Sequence, residues 1–366
     1  DGLHNLQVTA TDPAGNTSAP GPVSVTIDTT APAAPAAVLD PTSDTGNLGD
    51  SKTSDTTPTI SGTGTPGDTI TLKDAAGNVL ATATVAPNGN WSATTTALPE
   101  GTNALSITAT DPAGNTSPAT PLTLTIDSVA VAQPAAPDLT DDSDLGVSST
   151  DNLTKDNTPG IAVTEPPDGG AIVLYVDGVA VAIAGYEPNT GTVTPTVPLT
   201  DGAHVITYQV VDPAGNASPA SAALSVTIDT HAPAAPGGTL AAISDSGTLG
   251  DGETNDATPT ITGSRATPGD TLTLYAPDGT TVIGTTTVAP DGSWSVTPSA
   301  ALPNGAQTLH ITATDPAGNT SPASDLPLTI VNSPTVFSGD TALAITETNV
   351  AQTVTGTLTF TDPDGP

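Results

Sequence analysis

The sequence predicts an all-β protein of similar β-sandwich domains in tandem, an elongated rod like beads on a string. The peptide Asp-Pro-Ala-Gly-Asn begins at Asp12, Asp111, Asp212 and Asp315, and steps of about 100 residues match one sandwich domain. Alternating polar and apolar runs, as at residues 105–109, are typical of half-buried strands. Roughly seven such strands per step, without helical periodicity, indicate an immunoglobulin-like sandwich.

A second signature marks the domain boundaries. Val-Thr-Ile-Asp or Leu-Thr-Ile-Asp ends at Asp28, Asp127 and Asp229, and Leu-Thr-Ile recurs later without the Asp. We call the three Asp residues the linker aspartates. The predicted organisation is the end of one module at 1–28, full repeats at 29–128, 129–230 and 231–332 (the first, second and third repeat), and the truncated start of a different β-module at 333–366.

Composition narrows the classes of function. The chain has 38 acidic and 4 basic residues, for a formal net charge of −34. Nucleic acid and anionic membrane surfaces need Lys and Arg, so the charge argues against both. Cysteine is absent, which excludes disulfides and thiolate sites, and no apolar run is long enough to span a membrane. Clustered carboxylates without basic partners favour Ca²⁺ as the counter-ion.

The expected strand order brings the carboxylates together. Strands A to G of a sandwich alternate in direction, so the acidic loop between strands A and B lies at the end that faces the next repeat. The B–C loop and the Asp-Pro-Ala-Gly-Asn turn (the F–G turn) lie at the opposite end. We therefore expect each joint between repeats to combine one acidic loop, one linker aspartate and the two loops of the following repeat, where Ca²⁺ would offset the repulsion.

Candidate Ca²⁺ ligands follow for each joint, and we name each joint after its linker aspartate. The Asp28 joint has Asp28, Asp68 and Asp111; the Asp127 joint has Asp44, Asp50, Asp55, Asp127, Asp168 and Asp212; the Asp229 joint has Asp142, Asp144, Asp151, Asp156, Asp229, Asp270 and Asp315; and the loop of the third repeat adds Asp245, Asp251 and Asp256. For each aspartate the alternative is a residue that caps its own turn or is simply solvated.

Other chemistry has weaker support. The four His residues do not recur beside a nucleophile, and neither a phosphate loop nor a calcium β-roll motif is present. An enzyme is therefore not expected. Trp91 and Trp294 occupy equivalent places, where core filling is the simpler explanation. A sugar-stacking role would make these modules glycan-binding, and a third alternative is an accessory domain of a secreted hydrolase.

The recurring motifs resemble a known family. The Asp-Pro-Ala-Gly-Asn-x-Ser/Thr turn, the Val-Thr-Ile-Asp-Thr-x-Ala-Pro-Ala-Ala-Pro joint and the Thr-Pro-Thr-Ile-x-Gly strand are similar to bacterial Ig-like repeats of giant type I-secreted adhesins, including biofilm-associated and large RTX-type proteins. The segment from Ser333 resembles the start of a VCBS-type repeat. The resemblance implies an extracellular rod at the bacterial surface or secreted, stiffened by Ca²⁺, whose distal domains bind a host or abiotic surface.

The second repeat departs from this pattern. Its acidic loop reads Asp-Asp-Ser-Asp-Leu-Gly from Asp141, its strand reads Pro-Gly-Ile from Pro159, and it has no tryptophan. The joint at Asn332 also lacks the linker aspartate. The resemblance therefore does not define a metal geometry for the second repeat or for the Asn332 joint.

Overall fold

The structure, a computed structural model, describes residues 1–332, 336–339 and 358–361. Within these residues it is all β apart from one 3-10 turn at Pro167–Gly169. The fold class predicted from the repeats and the alternating strands is therefore confirmed. The module predicted at 333–366 lies largely outside the described residues.

The strands follow the repeats along the chain. Before the first repeat lie β1 Gly2–Val8 and β2 Gly21–Ile27. The first repeat contains β3 Val38–Leu39, β4 Lys52–Thr53, β5 Thr59–Thr63, β6 Thr69–Lys73, β7 Val79–Thr84, β8 Asn90–Thr94, β9 Gly101–Thr110 and β10 Thr120–Ile126. The second contains β11 Asp138–Leu139, β12 Leu153–Thr154, β13 Ile161–Ala162, β14 Ala171–Val176, β15 Val179–Val181, β16 Ile183–Glu187, β17 Thr192–Pro195, β18 Gly202–Val211 and β19 Leu224–Ile228.

The third repeat contains β20 Thr239–Leu240, β21 Glu253–Thr254, β22 Ile261–Gly263, β23 Thr271–Tyr275, β24 Val282–Thr287, β25 Trp294–Val296, β26 Gly305–Thr314 and β27 Ser324–Ile330. Beyond it, β28 Val336–Gly339 pairs antiparallel with β29 Leu358–Thr361.

The chain forms two compact units, and the division passes through the second repeat. The first unit comprises Asp1–Asp138, Ile161–Thr194 and Val205–Leu224, and the second comprises Leu139–Gly160, Pro195–His204 and Ser225–Pro366. The Asp28 and Asp127 joints therefore lie inside the first unit, and the Asp229 joint lies inside the second.

In the first unit, the first repeat is a complete sandwich. Its two sheets have the strand orders β3-β5-β8 and β4-β10-β9-β6-β7. Alternation along β9 buries Leu105, Ile107 and Ala109, which join one core with Ile60 and Trp91. In the part of the second repeat that belongs to this unit, β14 pairs with both β15 and β18, and β13 pairs with β17.

In the second unit, the third repeat has the same architecture. Its sheets have the orders β20-β22-β25 and β21-β27-β26-β23-β24, and its core includes Ile261, Leu274, Trp294 and Ile311. From the second repeat, β12 pairs in parallel with β19, as β4 does with β10 and β21 with β27. This short parallel strand follows the acidic loop and holds the end of that loop beside the last strand of its own repeat.

Candidate metal centre

The Asp-Pro-Ala-Gly-Asn turn is closed by its own aspartate and asparagine. In the copy at Asp212, Oδ1 accepts from the backbone N–H of Asn216 at 2.9 Å and Oδ2 accepts from Asn216 Nδ2 at 2.9 Å. Gly215 supplies the positive φ of 92° that the turn requires. The copies at Asp12, Asp111 and Asp315 make the same pair of hydrogen bonds. The turn aspartate therefore does cap its turn.

The same asparagine also binds the linker. Its Nδ2 donates to the carbonyl oxygen of the preceding linker aspartate in all three joints: Asn115 to Asp28 at 3.0 Å, Asn216 to Asp127 at 2.7 Å and Asn319 to Asp229 at 2.7 Å. The F–G turn is thus attached to the linker through one recurring side chain.

At the Asp127 joint, the acidic loop of the first repeat docks on the F–G turn of the second. Asn47 donates from its backbone N–H to the carbonyl of Pro213 at 2.9 Å, and Ser54 does the same to Ala214 at 3.1 Å. Thr45 Oγ1 also donates to Ala214, at 2.5 Å. Gly46 packs so tightly that a Cβ there would lie 2.2 Å from the carbonyl oxygen of Pro213.

At the Asp229 joint, the loop of the second repeat docks on the turn of the third in the same way. Val147 donates from its backbone N–H to the carbonyl of Pro316 at 3.1 Å. A Cβ on Gly146 would lie 2.2 Å from that carbonyl oxygen. Lys155 Nζ donates to the carbonyl of Gly318 at 2.8 Å. The acidic loop and the F–G turn meet in both complete joints, as the strand order predicts.

Two aspartates of the B–C loops are buried without adequate partners. Asp270 is 1% exposed and Asp68 is 3% exposed. Within the described chain, both carboxylate oxygens of Asp270 lack a hydrogen bond of normal geometry, and so does Oδ2 of Asp68. Burial of a charged carboxylate without a partner costs on the order of several kcal/mol of folding free energy, because the ion loses its hydration. A cation or a proton would compensate these three oxygens.

The surroundings of these aspartates raise their pKa. Burial is the largest cause for Asp270, and repulsion from Asp315 adds to the rise. The hydroxyl of Thr267 lowers the pKa in part, and Asp229 contributes a smaller increase. Burial followed by repulsion from Asp111 raises the pKa of Asp68 likewise. The B–C, F–G and linker carboxylates of the Asp229 joint are thus close enough to interact electrostatically.

The F–G aspartate has the opposite behaviour. The pKa of Asp111 lies below its ordinary value, mainly because the side chain of Asn115 donates to the carboxylate and despite the opposing effect of burial. Asp212 and Asp315, each 7% exposed, make the same contacts with their asparagines. An ionised F–G carboxylate beside a buried B–C carboxylate is an arrangement that a divalent cation stabilises.

Strand register shows that the second repeat lacks the B–C aspartate. Asp68 and Asp270 directly precede the residues that pair with Thr110 and Thr314. In the second repeat the corresponding pair is Ala171 with Val211, so Gly170 stands in their place. A Cβ on Gly170 would lie 2.0 Å from the carbonyl oxygen of Val211. The candidate Asp168 lies two residues earlier, in the 3-10 turn, and only its backbone belongs to the described part of the chain.

Most acidic-loop candidates bind their own loop. Asp55, Asp156 and Asp256 each accept from a loop serine through Oδ2 and from the backbone of a threonine two residues on through Oδ1. Asp50, Asp151 and Asp251 are exposed and each accept from the backbone N–H two residues on. These six carboxylates shape the loop, and the three exposed ones remain candidate ligands.

The remaining loop candidates differ in burial. Asp44 and Asp245 each accept from a glycine N–H at 2.6 Å through Oδ2, while Oδ1 is buried without a hydrogen-bond partner. Asp245 lines a cavity of about 480 Å³ with Leu326 and Pro327 of its own repeat. Asp144 is buried and Asp142 is exposed.

The structure adds carboxylates that sequence reasoning missed. Asp1, Glu100 and Asp201 each precede the glycine that begins the long F strand, and each accepts from the hydroxyl of the residue after the linker aspartate. At the Asp229 joint, one ligand atom each of Asp201, Asp229 and His231 lie within 4.8 Å of one another, the one such group in the described part of the chain. In the sequence, an acidic residue followed directly by glycine recurs at these three places, and this recurrence could have revealed them.

The two tryptophans are core residues. Trp91 and Trp294 are both buried, and Trp91 Nε1 donates to the carbonyl of Thr63 at 3.3 Å. Trp91 also borders a cavity of about 600 Å³. The second repeat, which has no tryptophan, buries Tyr208 instead, and its hydroxyl donates to Thr164 Oγ1.

The residues at the joints fit a hard cation. Asp270 interacts electrostatically with the carboxylates of Asp315 and Asp229, and the cavity that it lines also contains Thr267 and Arg265. Ca²⁺ accepts carboxylate and carbonyl ligands with flexible geometry. Cysteine is absent from the sequence, so a thiolate zinc site is excluded. The unpartnered oxygens of Asp270 and Asp68 are the observation that makes the fit specific.

Comparison with known proteins agrees with this architecture. A model of the bacterial Ig-like domain matches residues 30–128, 130–230 and 232–331. The chain belongs to the bacterial Ig-like domain family. No curated protein matches this bacterial Ig-like chain, and no helix among its described residues is long and apolar enough to cross a membrane.

Solved structures with similar repeats include adhesin segments. A Ca²⁺-stabilised adhesin with which an Antarctic bacterium binds ice is 25% identical, with a TM-score of 0.33, over 90% of this chain and 81% of that one. A tetra-tandem repeat from the extending region of a large adhesion protein is 23% identical, with a TM-score of 0.24, over 90% and 82%. Fibronectin(III)-like modules of Clostridium thermocellum CbhA are 17% identical, with a TM-score of 0.34, over 53% and 94%.

Proposed function

We propose that this bacterial Ig-like chain is an extender segment of an extracellular adhesin. The observation that carries the proposal is the docking of backbone on backbone at the Asp127 and Asp229 joints. In each joint a glycine of the acidic loop contacts a carbonyl of the next F–G turn with no room for a side chain. Such joints define the angle between neighbouring repeats, which a spacer needs and a catalytic domain does not.

Ca²⁺ is the proposed cofactor of these joints. The linker, B–C and F–G aspartates would hold it, namely Asp28, Asp68 and Asp111 at one joint and Asp229, Asp270 and Asp315 at another. The ion would neutralise carboxylates that otherwise repel one another and would supply the partner that the buried oxygens lack. The acidic-loop aspartates and Asp201 are available to complete the ligand set.

The proposed setting is the bacterial cell surface or the secreted medium. Extracellular Ca²⁺ is abundant enough to saturate sites of about millimolar affinity, and a cysteine-free acidic chain needs no oxidising enzyme to fold. The segment would act without catalysis, holding distal binding domains away from the cell and so supporting adhesion and biofilm formation. Its direct partners would be Ca²⁺ and its own neighbouring repeats.

Small-angle X-ray scattering tests the proposal. The chain is measured in CaCl₂, in EGTA and in EGTA with excess MgCl₂. We expect the maximum dimension to be largest and best defined in Ca²⁺, and the scattering to indicate a flexible chain in EGTA, with Mg²⁺ failing to restore the rod. A scattering curve that is identical in all three buffers contradicts the Ca²⁺-dependent extender.

A further inference from the structure

The linker that enters the third repeat carries a histidine beside two carboxylates. One ligand atom each of Asp201, Asp229 and His231 lie within 4.8 Å of one another. We propose that these three residues bind a divalent transition metal of the Zn²⁺ class, through one imidazole nitrogen and two carboxylate groups. The proposal goes beyond the Ca²⁺-dependent extender and does not depend on it, because the imidazole gives this group a different metal preference.

Hydrogen bonds to the linker backbone orient both carboxylates. Asp201 lies directly before β18, and its Oδ1 accepts from the backbone N–H of Thr230 at 3.2 Å and from the hydroxyl of the same residue at 2.9 Å. The other oxygen, Oδ2, contacts His231 Nδ1. Asp229 Oδ1 accepts from the backbone N–H of His231 at 3.0 Å. The imidazole is therefore brought to two carboxylates whose directions the linker already defines.

The linker itself is attached on both sides of Asp229. The backbone N–H of Asp229 donates to the carbonyl of Thr154 at 2.9 Å, and its carbonyl accepts from Asn319 Nδ2 at 2.7 Å. Ligands whose backbone is already held lose less conformational freedom when an ion binds. The donor set is thus assembled by the fold itself.

The same framework at the other joints has no nitrogen ligand. At the Asp28 joint, the residue two positions after the linker aspartate is Thr30, whose hydroxyl donates to Oδ2 of Asp1 at 2.8 Å. At the Asp127 joint this residue is Val129, which has no polar side-chain atom. Of the three joints, only the remaining one has a ring nitrogen at this position.

The type of ligand decides which ion such a group prefers. Ca²⁺ and Mg²⁺ take oxygen ligands, whereas imidazole suits Zn²⁺, Cu²⁺ and Ni²⁺. Zn²⁺ binds His and Asp at about 2.0–2.2 Å and is completed to four ligands by water. The His231 side chain is 85% exposed, so water has access. A carboxylate has two oxygens, and Asp229 is able to serve this site and the proposed Ca²⁺ site together.

NMR of the histidine rings tests the proposal. The sequence has 4 histidines, so substitution of each one assigns its ring nitrogen signals. The metal-free chain is first placed in excess CaCl₂, which occupies oxygen-only sites, and is then titrated with ZnCl₂. We expect the ring signals of His231 to move to the positions of a metal-bound imidazole. Signals of His231 that do not respond to excess Zn²⁺, or that respond only when Ca²⁺ is left out, overturn the proposal and leave an ion pair with Asp201.

Two variants remove one ligand each. His231→Thr introduces the residue of the Asp28 joint, and Asp201→Asn keeps an oxygen that accepts from Thr230 but removes the charge. We expect each to weaken Zn²⁺ binding at least about tenfold, since loss of even an outer-shell partner of a metal ligand costs that much. Competition with a coloured zinc indicator in excess CaCl₂ measures the affinity. Unchanged affinity in both variants contradicts the assignment of these ligands.

His310→Thr is the matched control. His310 Nδ1 also contacts an aspartate of the third repeat, Asp325 Oδ1 at 2.8 Å, but among the described residues no third ligand joins this pair. We therefore expect His310→Thr to leave Zn²⁺ affinity unchanged. An equal loss of affinity in His310→Thr and His231→Thr would mean that any histidine–carboxylate pair binds the ion, and would overturn the site.

This proposal and the Ca²⁺-dependent extender fail in different ways. If Zn²⁺ shifts the His231 signals while calorimetry detects no Ca²⁺ binding, the extender is wrong and the transition-metal site stands. If Ca²⁺ binds and Zn²⁺ leaves His231 unchanged, the extender stands and the site is wrong. Thermal unfolding without metal checks that each variant is folded, and the ring signals of the unsubstituted chain decide the proposal even where a variant is not.

Discussion

The Asp127 and Asp229 joints are built on the same backbone contacts but on different charges. In both, a loop glycine packs on the carbonyl of a turn proline, and a turn asparagine binds the linker carbonyl. They differ at two positions outside these contacts. The B–C position is Gly170 at the Asp127 joint and Asp270 at the Asp229 joint. The position on the short parallel strand is Lys52 in the first repeat and Leu153 in the second. The motif therefore determines how repeats dock, while residues outside it determine which charged side chains the joint contains.

Removal of Ca²⁺ should produce the largest difference between the Asp127 and Asp229 joints. A ligand at a hundredfold excess over its Kd stabilises the folded state by about 2.7 kcal/mol. We expect hydrogen exchange in EGTA to accelerate in the B–C and F–G loops around Asp270 and Asp315 by a corresponding factor. The loop around Gly170 should change much less. A similar increase of the hydrogen-exchange rate in both sets of loops would contradict the expected difference between the joints.

Adding one methyl group to a docking glycine should have the next largest effect. Gly46→Ala places a Cβ against the Pro213 carbonyl, and overpacking of this kind costs about 1–3 kcal/mol. Gly247 is the matched control, since its φ of 77° is close to the 74° of Gly46 but its surroundings are open. Thermal unfolding and the distance between spin labels on Val79→Cys and Val179→Cys provide the measurements. Equal effects of Gly46→Ala and Gly247→Ala would show that only backbone strain matters.

Truncation of the turn asparagine should affect both joints alike. Asn216→Ala and Asn319→Ala each remove hydrogen bonds to the turn aspartate and to the linker carbonyl, at a cost of about 1–2 kcal/mol in the free energy of unfolding. Urea unfolding of each variant, with Asn78→Ala in the turn between β6 and β7 as a control for turn closure alone, measures the cost. A large difference between Asn216→Ala and Asn319→Ala would mean that the docking contacts are not shared.

The smallest expected effect is a pH dependence confined to repeats with a B–C aspartate. The pKa of Asp270 is raised above its ordinary 3.8, so the folded third repeat binds this proton more tightly than the unfolded chain does. Without metal, this contribution to stability is present below 3.8 and is lost as the pH rises through the raised pKa. Asp270→Asn should remove it.

Urea unfolding of the metal-free chain between about pH 4 and about pH 7 measures this dependence as the difference between chains with and without Asp270→Asn. Trp91→Phe is introduced into both chains so that the fluorescence reports Trp294 alone. Taking the difference cancels groups such as Asp278 and Asp201, whose lowered pKa values give the opposite slope. A difference that does not vary with pH, or that grows in favour of the wild type as the pH rises, is incompatible with the raised pKa.

The sequence was sufficient for features that repeat. The spacing of Asp12, Asp111, Asp212 and Asp315 predicts the domains, and the alternating strands predict the sandwich, because both depend on local pattern. The strand order then predicts that the acidic loop meets the F–G turn. The role of Asn216, which follows its aspartate by four residues, could have been inferred from the same recurrence.

Individual ligands were harder to predict. Asp55 and Asp50 look like joint residues in the sequence, but their hydrogen bonds are within the acidic loop. Asp168 looks like the counterpart of Asp68, but a 3-10 turn shifts it by two residues and leaves Gly170 at the register position. Asp201 is distant from Asp229 in sequence and close to it in space. The direction of a loop side chain depends on contacts with residues that are distant in sequence, and these contacts exist only in the folded chain.

The sequence alone determined the class of this protein: tandem bacterial Ig-like sandwiches with an excess of 38 acidic over 4 basic residues. Repeated motifs and net charge are properties of the chain and need no coordinates. Only the tertiary structure decided which carboxylates are buried without partners and which residue stands at the B–C position of each joint. Burial and charge pairing arise between residues far apart in sequence, and a shift of one or two residues in a loop is enough to exchange an aspartate for a glycine.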